Sequence, residues 1–180
     1  IAVLLLIALT LAFALPAAAQ DELRAPPAND HSSFATSASM PFSEVVGTIS
    51  EATIQPDETQ PCIGGTGERS VWYRVVVPQG GTLEVDTTGS NYDTVISVWR
   101  VLQNIGPVGF ANLDCEDDGT AAALLRYPVT TAGEYLISVS EVPSVPVRAP
   151  QSLVISLTYK VPAALRPAGS DPDHAVTAKL

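Results

Sequence analysis

The chain has 180 residues, 46% of them hydrophobic, with 9 Lys and Arg against 19 Asp and Glu, giving a net charge of −10. That length suits one domain with its ends set aside, and the apolar share is enough for a core. Such acidity disfavours nucleic acid, whose phosphates need a basic surface.

Residues 1–19 read IAVLLLIALTLAFALPAAA, without a single charge. An apolar run closing on Pro16 and Ala17-Ala18-Ala19 has the form of an export signal cut before Gln20, here lacking its initiating Met and basic start. A membrane anchor is the alternative, since the run is about long enough to span. No later stretch is apolar enough, so no stable membrane span is expected once the signal is removed. The expected location is secreted, extracellular or cell-surface.

Residues 20–28 form a polar, Pro-containing lead, expected to be flexible. Asn29 and Asp30 then place two oxygen-bearing side chains just before the fold begins, and Phe34 reads as an anchor into the core. Residues 44–49 give a short first strand through Val45, Val46 and Ile49. Residues 51–67 carry the Pro and Gly that punctuate strands. Residues 70–77, SVWYRVVV, are the clearest strand. Val71, Tyr73, Val75 and Val77 share one face and are assigned to the core. Trp72, Arg74 and Val76 share the other, which predicts an exposed Trp72.

Residues 82–87 follow as a strand. Gly89, Ser90 and Asn91 are turn formers. Asp93 stands at the mouth of the next strand, residues 94–102, rich in β-branched and aromatic residues. Further strands are read at 108–113, 121–127, 133–139 and 152–159. Residues 161–180 show no pattern and read as a disordered tail or linker. Eight or nine short strands at this spacing, with no helical period, predict an all-β, antiparallel sandwich of jelly-roll type over residues 29–160. A small closed barrel is the alternative.

Two cysteines, Cys62 and Cys115, are present. In an exported chain an even pair most simply forms one disulfide. Two buried free thiols are the alternative, and neither cysteine has neighbours at zinc-ligand spacing.

The most suggestive cluster is Asp114-Cys115-Glu116-Asp117-Asp118-Gly119. Calcium takes six to eight hard oxygens, commonly gathered from loops. Asp93, Asp117 and Asp118, with Asn29 and Asp30 from the lead, could supply them. Stacked like charges cost stability unless something neutralises them. A solvated acidic turn is the plainer alternative, and the spacing is not that of an EF-hand loop.

Catalysis finds little support. The two histidines, His31 and His174, fall in the lead and the tail. There is no Gly-x-Ser-x-Gly elbow, and Gly64-Gly65-Thr66-Gly67 lacks the lysine of a phosphate loop. A carbohydrate-binding module is a third reading, with Trp72, Tyr92, Trp99 and Tyr127 as candidate stacking residues. Aromatics on strands more often pack against neighbours.

Several stretches in fixed order resemble the pre-peptidase C-terminal domain group. They are Asn29-Asp30, Phe34-Ala35-Thr36-Ser37-Ala38, Met40-Pro41-Phe42, Pro61-Cys62, Ser70-Val71-Trp72-Tyr73, Val85-Asp86-Thr87-Thr88-Gly89-Ser90, Tyr92-Asp93-Thr94-Val95-Ile96-Ser97-Val98 and Cys115-Glu116-Asp117-Asp118. The resemblance covers residues 26–159. It implies a non-catalytic β-sandwich that accompanies secreted proteins, often extracellular peptidases. Partners would be an extracellular polymer, a glycan or a secreted protein. Some members of the group bind calcium between the Asn-Asp lead and acidic loops, which by position names Asn29, Asp30, Asp93, Asp117 and Asp118. Two positions depart. Pro27 and Ala28 stand where the group usually carries Glu, and Thr88 stands where many relatives have Cys. The resulting expectation is a secreted binding or accessory module, calcium-stabilised. An accessory domain of a peptidase or other hydrolase catalysed elsewhere is the alternative.

Overall fold

The structure is a computed structural model that describes residues 25–162, apart from 57, 78–79, 103–108, 120–121 and 144–150. The expected export signal, much of the lead and nearly all of the tail lie outside the described residues. Among those described, no helix is long and apolar enough to cross a membrane.

Eleven strands are described. They are β1 (Thr36–Ser37), β2 (Phe42–Val46), β3 (Thr59–Gln60), β4 (Gly65–Thr66), β5 (Glu68–Val77), β6 (Gly81–Asp86), β7 (Thr94–Leu102), β8 (Gly109–Glu116), β9 (Leu124–Val129), β10 (Gly133–Glu141) and β11 (Leu153–Lys160). Nine build the two main sheets, ordered β1-β5-β10-β7-β8 and β2-β11-β6-β9, and β3 with β4 forms a small ribbon. The eight long strands nest as hairpins within hairpins: β7 pairs β8, β6 pairs β9, β5 pairs β10 and β2 pairs β11. Successive pairs alternate between the sheets, which is the wiring of a jelly roll. Neither sheet closes on itself, so the barrel alternative falls. One pairing departs from the antiparallel expectation, since β1 runs parallel to β5.

The core lies between the sheets. Val71, Tyr73, Val75 and Val77 enter it from β5, and Leu153, Ile155 and Leu157 from β11, as their alternation predicts. Each such side chain contributes roughly 1.5–3 kcal/mol by leaving water.

The expected exposure of Trp72 is overturned: it is only 1% exposed, and Trp99 is 3% exposed. The two rings pack 5.7 Å apart on the outer face of the five-stranded sheet, with Leu136 between the strands and Ala35 alongside. Segment 49–67 supplies a partial third layer there. Its Glu58 accepts a hydrogen bond from Trp72 Nε1 at 3.1 Å, and Trp99 Nε1 donates to Ser138 Oγ at 2.9 Å. Gln60 Nε2 donates to Ser140 Oγ at 2.6 Å, and Arg69 joins Glu141 at 2.6 Å while its Nε bonds Ser50 O. Strand alternation separates two faces. It carries no information about a remote loop that covers the second. Phe34, read as a core anchor, is 71% exposed on a short 3-10 turn (Ser32–Phe34) and meets His31 edge-on.

Candidate metal centre

Asp93 immediately precedes β7, and Asp117 and Asp118 immediately follow β8. Ile96 pairs Glu116 across these antiparallel strands, so both acidic ends reach the same rim of the sandwich. The turn into β7 is set locally. Thr88 N donates to Asp86 Oδ1 at 2.8 Å, and Gly89 takes φ +102°, which only glycine adopts without strain. Ser90 Oγ and Asn91 Oδ1 then accept from the backbone N–H groups of Val154 and Ser152, fastening the turn to the start of β11. On the other side, Gly119 N donates to Asp117 Oδ1 at 3.0 Å.

One carboxylate oxygen from each of Asp93, Asp117 and Asp118 lies within 4.8 Å of the other two. Two oxygens on one calcium ion stand at most about twice the 2.3–2.6 Å bond length apart, so the three fit a single coordination sphere. Asp93 Oδ1 is buried and has no hydrogen-bond partner among the described residues. Burial pushes the Asp93 carboxyl above the usual aspartate range, and the charges of Asp117 and Asp118 push it further. A buried acceptor facing two like charges is the donor set that a hard divalent cation satisfies.

The five-residue set read from the sequence divides. Asn29 is buried and doubly bonded to the backbone of Trp72, its Nδ2 donating to Trp72 O at 3.1 Å and its own carbonyl accepting from Trp72 N at 2.9 Å. Asp30 accepts from the backbone and hydroxyl of Thr53, the latter at 2.7 Å. Trp72 pairs Ser138 whereas Thr94 pairs Glu141, three residues on along β10, or about 10 Å. Strands β5 and β10 also intervene. Asn29 and Asp30 therefore close the lead and the 49–67 segment onto the sheet, away from the acidic rim.

Cys62 and Cys115 are joined, with Cα atoms 5.7 Å apart. The bridge fixes the 3-10 turn Pro61–Ile63 against β8, two residues before Asp117. Three of the four aromatics proposed for sugar stacking are corrected together: Trp72, Trp99 and Tyr92, the last 6% exposed, are buried. Tyr127 packs against Tyr135 at 6.0 Å. The sequence reading missed Thr87, Thr94 and Ala123, which lock together beneath the acidic cluster. Only the two threonines left a trace, as polar residues just after β6 and at the start of β7.

Among solved structures the chain is similar to a pre-peptidase C-terminal domain. That solved structure is the domain from the collagenase of Bacillus anthracis, 9% identical, with a TM-score of 0.40, covering 70% of this chain and 94% of that one. No family model matches the sequence, and no curated protein matches it.

Proposed function

We propose that this protein is a secreted, non-catalytic binding or accessory module whose fold is stabilised by calcium held at Asp93, Asp117 and Asp118. The observation that carries the reading is the meeting of three carboxylates, one of them from Asp93, whose buried Oδ1 has no hydrogen-bond partner among the described residues. The Cys62–Cys115 bridge supports an oxidising compartment. Non-catalytic service is supported by where the one described histidine goes: His31 is exposed, and its Nδ1 accepts from Ser33 N at the start of the 3-10 turn. Attachment to a surface polymer or a secreted partner protein is the role that fits. The motif resemblance favours service beside an extracellular peptidase. The sugar-stacking reading loses most of its support with the burial of Trp72, Tyr92 and Trp99.

The test is thermal melting in calcium and in chelator. Calcium at about 100 times its Kd stabilises the folded state by about 2.7 kcal/mol, by mass action. For a chain of this size that raises Tm by roughly 5–10 °C. Superimposable melting curves would discard the cation site.

A further inference from the structure

Beneath the acidic rim two fully buried hydroxyls meet one backbone unit. Thr87 and Thr94 are both 0% exposed. Their Oγ1 atoms are 2.6 Å apart. Ala123 N donates to both, at 2.8 Å to Thr87 and 3.1 Å to Thr94. Thr87 Oγ1 donates to Ala123 O at 3.1 Å, and Thr87 N donates to the same carbonyl at 3.0 Å. One proton arrangement satisfies the group. The Thr87 hydroxyl proton goes to Ala123 O, so the Thr94 hydroxyl donates to Thr87, and each hydroxyl accepts from the Ala123 N–H. Buried hydroxyls are ordinarily hydrogen-bonded, and a buried network whose members are all satisfied rigidifies the backbone segments it joins.

We propose that Thr87 and Thr94 are positioning residues for the cation site, a staple that holds its two halves in register before any ion arrives. Thr94 is the residue after Asp93, whose carbonyl is held in turn by Val142 N at 3.0 Å. Ala123 lies five residues beyond Asp118 along the chain and immediately precedes β9. The same two hydroxyls thus fasten the chain on both sides of the cluster. Pairing of β8 with β7 fixes only the near end of that turn, at Glu116. The like charges of the three aspartates push the halves apart, and the staple opposes that push at each far end. This inference rests on the calcium reading above.

The test is isothermal titration of calcium chloride into the disulfide-bonded protein and its Thr94→Val and Thr94→Ser variants, with melting in chelator alongside. Val keeps the shape of Thr and removes the hydroxyl; Ser keeps the hydroxyl. Loss of a group that orients a metal ligand typically costs 10–100-fold in affinity. Thr94→Val is expected to weaken calcium by about tenfold or more, and Thr94→Ser to stay near the wild type. Should Thr94→Val not fold, Thr87→Val carries the same comparison, since Thr94 still accepts from Ala123 N. A wild type that binds calcium, with a Val variant binding it equally tightly, would overturn the staple and leave the site standing. A wild type that takes up no calcium would overturn both.

Discussion

Asp93 carries a carboxyl that burial and two neighbouring charges make harder to ionise in the folded chain than in the unfolded one. Without calcium the folded state therefore holds the Asp93 proton to a higher pH. Between the ordinary aspartate value and the raised one the folded state binds more protons, so stability falls as pH rises through that window. Above it the cost of the charge is fully present, and below the ordinary value it is absent. Asp93→Asn should remove this cost, raising Tm in chelator at neutral pH while abolishing the calcium response. Melting below the wild type in chelator would show instead that the carboxylate helps hold the ion-free fold. That Asp93 faces Asp117 and Asp118 was legible in sequence as a carboxylate beside a turn and an acidic run. That Asn29 and Asp30 turn away was not, because their partners Trp72 and Thr53 lie 43 and 23 residues off.

Strand β5 illustrates what alternation can and cannot say at the level of an element. Its inward set, Val71 to Val77, packs where the period of two places it. Its outward set splits: Val76 is 67% exposed, whereas Trp72 is buried under the 49–67 segment. The Trp72–Trp99 pair with Leu136 is thus a second core, on the outer face of the sheet. Trp72→Ala should cost about 3–5 kcal/mol, the range for a buried aromatic. An exposed residue of that strand, Val76, should tolerate Thr within about 0.5 kcal/mol. Chemical denaturation of the two variants checks both. A Trp72→Ala loss below about 1 kcal/mol would mean that the loop does not seal that face in solution. The short strands β1, β3 and β4 escaped the sequence reading because two-residue pairings leave no periodic trace.

Among the described strands, β9, β2 and β8 are the long edge strands of the two sheets, and each carries a different guard. On β9, Pro128 removes an N–H that an intruding strand would use, while still pairing Thr82. On β2, Glu44 alternates with the exposed Ser43 and Val45, a partly covered charge in a row otherwise fit for apolar side chains. On β8 the guard is covalent, since Cys115 ties it to the 3-10 turn 53 residues earlier in the chain. In the chain-entropy account a loop of that length stabilises the fold by about 4 kcal/mol. Replacing both cysteines by serine should lower stability by about that much, read by denaturant unfolding. An unchanged midpoint would show that the bridge constrains nothing the sheets do not already hold.

The sequence alone determined the layered β architecture and the inward face of β5, and it led to the expectation that the two cysteines pair. These follow from local period and from composition, which need no knowledge of distant neighbours. Only the tertiary structure decided which acidic groups meet, which aromatics are hidden and what fastens the acidic rim. Those outcomes depend on backbone partners far along the chain: Ala123 for Thr87 and Thr94, Trp72 for Asn29, Glu58 for the Trp72 ring. A hydrogen bond between remote segments leaves no periodic mark on either one, so it becomes visible only when the sheets have closed.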